Sequence, residues 1–420
     1  MKLMHEMLLR QEPFEEIVMG NTALVRAMVE AGTRVVTSYP GSPTPEIATA
    51  IGTIPFDDRP FYFEFSTNEK VATEVAYGAA VNGHLSTVFF KSVGLNVAAD
   101  TFVQLSLMNI IGGMVVVLGD DPGANSSQNE QDNRHLAQMC YTPVLEPGNP
   151  TEVYTFYKAA ARLSQERHMP VILRLTTHVC HAKEKVAFEG WTPRELDPTP
   201  RFDPANGPYI PIAELVLPMK RRAMGNLEAV RAYAETSDLN QVIDNQNKAR
   251  GIITMGLPFQ SLVDVLDGCG HKPDILKLGI VYPLPHQMIR AFLADHQEVK
   301  VLEELDDELG KEVKSIAYDA GLKTAITSKL DSEDWPNCAP AAGIAAPFMP
   351  SSRPWPIATS AWRTSAATPW GICRHTKSAS CSCAWGPPPA SDRVCLFSTP
   401  PGKWWCSWGT PPFFTLVCPG

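Results

Sequence analysis

The sequence lacks an excess of basic residues, a long apolar run and an export signal. Its 420 residues include 36 Lys and Arg against 45 Asp and Glu, a formal net charge of -9. This balance argues against nucleic acid as a partner, because phosphate backbones need a basic surface. No apolar stretch reaches the roughly 18 residues that span a bilayer, and the amino terminus carries acidic residues early instead of an apolar core. We therefore expect a cytoplasmic protein without a membrane or nucleic-acid partner.

Residues 1–337 also lack the short motifs of common nucleotide-binding and hydrolytic enzymes. GxGxxG, GxxxxGK[ST] and GxSxG do not occur there, so the phosphate-binding and nucleophile sites that they mark are not predicted. The three cysteines of this range, Cys140, Cys180 and Cys269, have no metal-ligand spacing. No cysteine-ligated metal site is predicted from this range.

Apolar runs alternate with amphipathic helical patterns over residues 17–183. Strand-like runs at 34–39, 85–90, 112–119 and 170–177 are almost wholly apolar or β-branched, as is typical of parallel strands covered on both faces. Helical patterns between them end at glycines, which commonly terminate helices. We predict an α/β fold with a doubly wound parallel sheet in this range.

Residues 1–333 contain three further parts in this prediction. Residues 1–16 form an amino-terminal extension, and 184–250 combine a proline-rich linker with a charged amphipathic helix over 219–248. Residues 251–333 repeat the strand–helix–strand pattern and predict a second, smaller α/β domain.

Two helix starts near strand ends are candidate sites. At 38–47, a turn on Pro40 and Gly41 leads into a helix with Thr44 as its cap, and helix N-termini at such positions attract anions. Glu69 lies in the first turn of another predicted helix, where the helix dipole favours a carboxylate. A well-capped turn and a capping glutamate are the structural alternatives.

The polar segment 119–135 is a third candidate. It follows an apolar strand and opens with Asp120 and Asp121. Polar loops at the carboxyl ends of strands line active sites in doubly wound folds, and paired carboxylates also suit a hard cation such as Mg²⁺. A solvated surface loop remains the alternative.

Several segments together resemble a known enzyme family. "YPGSPTPEI", "NEKVATEVAYGAA", "KSVGLNVAAD" and "DDPGANSSQNEQDNR" occur in order within about residues 15–330. They resemble the alpha subunits of indolepyruvate ferredoxin oxidoreductases, a branch of the thiamine-diphosphate-dependent 2-oxoacid:ferredoxin oxidoreductases. The resemblance implies that the first domain binds the pyrimidine half of the cofactor. It also implies that the second domain is like the C-terminal domain of transketolase.

The resemblance also implies roles for individual residues. Glu69 matches the carboxylate that hydrogen-bonds the aminopyrimidine ring and so favours the tautomer that activates the cofactor. Ser42 matches a hydroxyl residue near the substrate carboxylate. The expected cofactor-binding residues are Tyr39, Pro40, Gly41, Val93, Gly94 and Asn96. The expected substrate-binding residues are Ser42, Asp120, Asp121 and Asn125.

The activity implied by the resemblance is oxidative decarboxylation of an aryl 2-oxoacid, such as indolepyruvate, to an acyl-CoA. Thiamine diphosphate and Mg²⁺ are the implied cofactors. A beta subunit, ferredoxin and coenzyme A are the implied partners. The [4Fe-4S] clusters of full-length family members are not expected in this chain, because its Cys381 and Cys383 do not match the cluster pattern. One alternative is a non-oxidative thiamine-dependent decarboxylase subunit. Another is a catalytically inactive subunit that only binds a partner.

The composition changes abruptly near residue 338. The final 83 residues hold one acidic residue, Asp392, but seven of the ten cysteines and seven of the nine tryptophans. This is neither a typical disordered composition nor a disulfide scaffold suited to a cytosolic enzyme. We expect residues 334–420 to be an aberrant, disordered tail that replaces the family's diphosphate-binding domain.

A shifted reading frame accounts for this tail. When the last base of each codon is read with the first two bases of the next, Trp362–Thr376 can give ADIGCYTLGYLPPY, and Trp404–Gly420 can give VVFLGDSTFFHAGLPG. Ala339–Ala345 can likewise give Pro-Gly-Cys-Gly-His-Arg. These resemble three family motifs in their usual order. We infer a frame shift between about Asp331 and Cys338.

Independent resequencing of the gene across codons 330–340 tests the frame shift. If the shift is a sequencing error, the corrected reading should restore the three motifs. If it is a real mutation, the nucleotides should be unchanged, and one restoring insertion or deletion should recover all three motifs without an early stop codon. A nucleotide sequence that recovers none of them in any frame would contradict the interpretation.

Overall fold

A computed structural model describes residues 4–193, 199 and 201–331. All of them belong to one compact unit, Met1–Pro350. The expectation of an aberrant tail over 334–420 lies outside the described residues. Within the described ranges, no helix combines the length and apolar character needed to cross a membrane.

The helices alternate with strands along most of the described chain. The α-helices are α1 Met4–Leu8, α2 Gly20–Ala31, α3 Pro45–Gly52, α4 Glu69–Val81, α5 Gly94–Leu105, α6 Arg134–Met139, α7 Pro150–Arg167, α8 Thr177–His181, α9 Val216–Ala234, α10 Gly256–Leu266, α11 His286–Ala294 and α12 Glu308–Asp319. Short 3₁₀ helices occur at Phe56–Asp58, Pro204–Asn206 and Lys329–Asp331.

The strands form three sheets. In chain order they are β1 Phe14–Met19, β2 Val35–Ser38, β3 Tyr62–Phe65, β4 Ser86–Lys91, β5 Met114–Asp120, β6 Val144–Leu145, β7 Pro170–Thr176, β8 Lys183–Phe188, β9 Gln241–Ile243, β10 Arg250–Met255, β11 Asp274–Leu278, β12 Ile280–Tyr282, β13 Glu298–Leu302 and β14 Ala325–Thr327.

The largest sheet has seven strands in the order β12-β6-β7-β5-β4-β2-β3. Its strands are parallel except for β12, which runs antiparallel to β6. Alternate residues of β5 face two apolar layers: Val115 and Val117 pack with α2 and α7, whereas Val116 and Leu118 pack with α4 and α5. Helices therefore cover both faces, which confirms the predicted doubly wound fold.

The second sheet has five strands in the order β14-β13-β10-β11-β9, with only β9 antiparallel to its neighbour. The predicted strand–helix–strand unit after residue 250 is present in it. The sequence did not predict that β12, which follows β11 after one residue, would leave this sheet and pair with β6. Because of this exchange, a segment of the second α/β region completes the first sheet.

The helix predicted over 219–248 is shorter than expected. α9 ends at Ala234, and Gln241–Ile243 form strand β9. The Asn240 side chain donates to the Ala234 carbonyl and accepts from the Gly279 and Ile280 amides. These bonds satisfy the end of the helix and hold the turn after it, so tertiary contacts override the helical periodicity.

The expected extension at residues 1–16 is folded against the rest of the chain from Met4 onward. β1 pairs with β8 along its whole length. The buried Arg26 guanidinium on α2 donates to the carbonyls of Leu8, Arg10 and Glu189. A single buried cation thus connects α1, the following turn and the segment after β8.

The carboxyl ends of the two larger sheets meet at a buried ionic network. Arg174 on β7 bonds Asp120 at 2.7 Å and Glu146 at 2.5 Å. Arg134 on α6 bonds Asp132 at 2.5 Å and the second-sheet residue Glu303 at 2.6 Å. All six side chains are at most 4% exposed. The network thus joins the two sheets through charge pairs that water does not screen.

Glu304 is the carboxyl group of this junction that has no pairing partner. It is 2% exposed, and neither carboxylate oxygen has a hydrogen-bond partner in the described part of the chain. Burial raises the pKa of Glu304 to about 7. Repulsion from Glu146 and Asp120 raises the pKa further, whereas attraction to Arg174 and Arg134 lowers it. The protonated form is therefore the one that suits the folded junction.

Replacement of Glu304 by glutamine should change the pH dependence of stability. Glu304 is easier to ionise in the unfolded chain than in the folded one. Its contribution to the stability of the fold is therefore fully present below the unfolded-state pKa of 4.5 and is lost as the pH rises through the folded-state pKa of about 7. Glu304→Gln keeps a neutral group at every pH. The difference in free energy of unfolding between this variant and the wild type should therefore shift by about 2 kcal/mol in favour of the variant between about pH 5 and pH 8.

Urea unfolding at several pH values measures this difference. Glu298→Gln is the matched control, because that carboxylate is exposed on β13 of the same sheet. Its difference from the wild type should stay constant with pH. A constant difference for Glu304→Gln as well would show that Glu304 is already ionised in the folded protein.

Candidate functional site

Glu69 begins α4 at the carboxyl edge of the first sheet. The cap of this helix is Asn68, whose side chain accepts the Val71 amide at 2.9 Å. Asn68, not Glu69, therefore supplies the side-chain cap of this helix. The residue is 6% exposed, and no hydrogen bond reaches its carboxylate from residues 4–193, 199 and 201–331. This carboxylate is therefore available to a bound group.

Gly94 brings the start of α5 against this carboxylate. A Cβ atom on Gly94 would lie 2.8 Å from both Cγ and Oε1 of Glu69 and 3.1 Å from Cδ2 of Phe90. Only glycine leaves room for this approach. Val93 precedes it as the N-cap of α5. The structure thus brings together Glu69, Val93 and Gly94, which the sequence placed on two separate segments.

The turn between β2 and α3 also lies at the carboxyl edge of the first sheet. Tyr39 is 38% exposed, Pro40 and Ser42 are also exposed, and a Cβ on Gly41 would lie 2.8 Å from Cγ and Cδ of Lys91. Lys91 is the last residue of β4, two residues before the segment that packs on Glu69. The turn and the α5 start are therefore connected through the end of one strand.

Thr44 and Pro45 start α3 at the predicted position. The Thr44 hydroxyl donates to the Gly41 carbonyl at 2.9 Å and caps no helix amide. The predicted side-chain cap is therefore wrong, because this hydroxyl closes the preceding turn. The turn is packed closely, since a Cβ on Gly119 would lie 2.8 Å from Cγ2 of Thr44 and 2.9 Å from Cδ of Pro43.

Asp120 is buried inside the fold. Its carboxylate accepts from Arg174 Nε at 2.7 Å and from Asn133 Nδ2 at 2.6 Å, and the residue is 0% exposed. Asn133 Nδ2 also lies 3.3 Å from the Ser92 carbonyl. Asp120 therefore supports the segment that leads into α5, and it faces neither solvent nor a free cation site.

Asp121 is held by its own loop. It accepts from the Ser126 amide at 2.7 Å and from the Thr177 hydroxyl at 2.8 Å. Although burial acts in the opposite direction, these hydrogen bonds keep the pKa of Asp121 below its ordinary value. Asn125 is exposed and donates to the Pro122 carbonyl. The two aspartates are thus engaged in the protein's own contacts, which disfavours the Mg²⁺ alternative for them.

Asn96 forms a clasp with Gln131. Each amide donates to the oxygen of the other at 2.9 Å. Gln131 Nε2 also lies 2.7 Å from Asn133 Oδ1 and 3.3 Å from the Ser92 carbonyl. The clasp fastens the 119–135 loop over the start of α5. A direct cofactor contact by Asn96 stays a prediction, because its amide is engaged by the loop.

Comparison with known proteins agrees with this geometry. Residues 26–248 match the family described as pyruvate flavodoxin/ferredoxin oxidoreductase, thiamine diphosphate-binding. The chain belongs to this family. The matched range contains Glu69, Gly94, the β2–α3 turn and the 119–135 loop. The resemblance inferred from the sequence segments is thereby confirmed.

Two relatives illustrate how much of a family member this chain represents. Indolepyruvate oxidoreductase subunit IorA of Methanothermobacter marburgensis is 40% identical over 316 residues, 75% of this chain and 50% of that protein. The subunit of the same name from Pyrococcus abyssi is 34% identical over 330 residues, 77% and 51% of the two chains. The chain spans about half the length of these curated relatives.

A solved structure supports the fold. It is 2-oxoglutarate:ferredoxin oxidoreductase from Magnetococcus marinus, described with 2-oxoglutarate, coenzyme A and succinyl-CoA bound. The TM-score is 0.60 at 17% identity, and the match covers 75% of this chain and 62% of that one. The likeness shows a common fold.

Sequence reasoning missed three residues of this edge, namely Lys91, Gln131 and Asn133. Lys91 had a usable signal, since it is the charged end of an otherwise apolar strand, "STVFFK". The two amides had none, because their partners are 35 and 13 residues away in the chain. Only the parallel alignment of β4 and β5 brings them to the start of α5.

Replacement of Gln131 by leucine should open the clasp without unfolding the protein. Backbone amides of residues 122–132 should exchange hydrogen faster, because their loop loses its bonds to α5. The free energy of unfolding should fall by no more than about 1 kcal/mol, since these bonds lie near the surface. Hydrogen exchange by mass spectrometry measures the first effect and urea unfolding the second.

Gln104→Leu is the matched control, because Gln104 makes one long hydrogen bond within its own helix. Its loop exchange should equal that of the wild type. Unchanged exchange in Gln131→Leu would mean that the loop holds its position without the clasp.

Proposed function

We propose that this chain provides the pyrimidine-binding half of a thiamine diphosphate site. The site would oxidatively decarboxylate aryl 2-oxoacids of the indolepyruvate type to acyl-CoA, with ferredoxin as electron acceptor. The chain would act as an alpha subunit together with a beta subunit. The observation that carries the proposal is Glu69, a buried carboxylate without a partner in the described chain, at the carboxyl edge of a doubly wound sheet.

The residues at this edge fit the pyrimidine half of the cofactor. Glu69 has an oxygen available for a ring nitrogen, and Gly94 allows the start of α5 to pack directly against that side chain. Val93 and the turn at Tyr39–Ser42 border the same edge. Thiamine diphosphate supplies a carbon nucleophile for the 2-oxo carbonyl and an electron sink when CO₂ leaves. Mg²⁺ and the diphosphate would need ligands from the family's second half-site.

Glu69 would hold or share a proton at the ring nitrogen. Its burial strengthens a hydrogen bond to a bound ring, and Gly94 packs against its Cγ and Oε1. These properties suit a carboxylate that must alternate between accepting and donating one proton.

Exposed apolar side chains at the same edge agree with a covering surface. Tyr39, Phe65 and Val97 are 38%, 50% and 47% exposed. Phe65 ends β3 and Val97 lies in the first turn of α5. A second half-site that closes over Glu69 would cover them and exclude water from the reaction.

The aryl 2-oxoacid substrate rests on the relatives named indolepyruvate oxidoreductase. The inferred frame shift favours a second candidate for the chain as it stands, an inactive subunit that binds its partner. We propose that the shifted tail cannot supply the diphosphate-binding half. Calorimetry of the unaltered chain with thiamine diphosphate and Mg²⁺ should therefore give no tight binding.

Activity of the frame-corrected alpha subunit with its beta subunit tests the main proposal. Glu69→Gln should lower kcat for 2-oxoacid-dependent ferredoxin reduction by about 100-fold or more, because a positioned acid–base group contributes that much. Glu74→Gln is the matched control on α4, since that carboxylate is 47% exposed and pairs with Lys70. Its kcat should stay within about 2-fold of the wild type. Full turnover by Glu69→Gln would refute the assignment.

A further inference from the structure

Lys91 is a cation at the site edge without an acidic partner. It is half-buried at the end of β4, and its Cβ, Cγ and Cδ pack against Gly41. In the described ranges no carboxylate lies within ion-pair distance of its ammonium group, and no hydrogen bond to it is formed. The ammonium group is therefore free to pair with an anionic ligand.

The other cations near this edge are already engaged. Arg174 is bonded to two carboxylates, and Arg134 is bonded to Asp132 and Glu303. Lys70 on α4 pairs with Asp100 at 2.7 Å. Among these cations of the described chain, Lys91 is the one that remains available to an incoming anion.

The proposed substrate needs such a cation. A 2-oxoacid carries a carboxylate to an edge where the Glu69 carboxylate is already buried, so the two charges repel unless a cation offsets them. The Lys91 stem packs against Gly41, and the exposed Ser42 follows Gly41 in the same turn. An ammonium and a hydroxyl together suit the two oxygens of a carboxylate.

We propose that Lys91 binds the carboxylate of the 2-oxoacid substrate, with the Ser42 hydroxyl as a second donor. The inference rests on the proposed function and adds the residue that recognises the common part of all its substrates. The carboxylate is lost as CO₂, so Lys91 holds the group that leaves and does not contact the acyl product. The aryl part of the substrate must be recognised elsewhere.

Steady-state kinetics of the frame-corrected enzyme with its beta subunit test this role. Lys91→Met should raise KM for an aryl 2-oxoacid by about 10- to 100-fold, the effect of losing a charge-assisted hydrogen bond. KM for coenzyme A should be unchanged, because the proposed contact is with the 2-oxoacid carboxylate alone. Lys91→Arg should recover part of the 2-oxoacid affinity, since it keeps the charge with a different geometry.

Two further variants keep the result interpretable. Lys91→Gln is a second neutral variant for the case that Lys91→Met does not fold. It is also expected to raise KM for the 2-oxoacid. Lys70→Met is the matched control, because it removes an exposed lysine from α4, and its KM should equal that of the wild type.

The outcomes separate the two proposals. An active enzyme whose folded Lys91→Met and Lys91→Gln variants keep the wild-type KM would overturn the role of Lys91 and leave the proposed function intact. An equal rise of KM for coenzyme A would also overturn it, because the lysine would then act through general electrostatics. A wild-type enzyme that fails to turn over any 2-oxoacid would overturn the proposed function and this inference with it.

Discussion

A buried carboxylate that lacks a partner within the described chain is the constraint on which the site depends. Glu69 loses most of its hydration at the start of α4, while Asn68 performs the capping that a first-turn glutamate could have provided. The surrounding elements hold this arrangement in place. α5 begins with a glycine that approaches the carboxylate closely, and the segment before it is bonded to Asn133 and Gln131. The fold therefore holds a carboxylate without a protein hydrogen-bond partner at a defined position, where a bound group can reach it.

The same supports extend into the second α/β region. Asn133 bonds Asp120, Asp120 bonds Arg174, and Arg174 lies in the junction that contains Glu304. Buried polar contacts thus run from the start of α5 to Arg174, and the bond from Arg134 to Glu303 reaches the second α/β region. Because such networks are costly when incomplete, they specify one relative arrangement of the joined elements. The exchange of β12 into the first sheet has the same effect through backbone hydrogen bonds.

The two aspartates after β5 show how contacts between distant segments decide what a side chain does. That the polar loop at this strand end belongs to the site stays a prediction. Asp120 contacts Arg174, which lies 54 residues further along the chain, and Asp121 contacts Thr177. Neither partner could be recognised from sequence spacing. Lys91, by contrast, stood at the end of an apolar strand and was overlooked because a single lysine is a weak signal.

Local pattern alone determined the alternation of strands and helices, the doubly wound class, the helix starts at Pro45 and Glu69, and the compositional break near residue 338. These depend on periodicity, on turn residues and on composition, all of which are properties of neighbouring residues. Tertiary structure decided where α9 ends, which sheet β12 joins, and which charges of the junction are paired. It also decided that Gly94, 25 residues after Glu69, would press against its carboxylate. Such outcomes depend on contacts between distant segments, which exist only once the parallel strands have aligned.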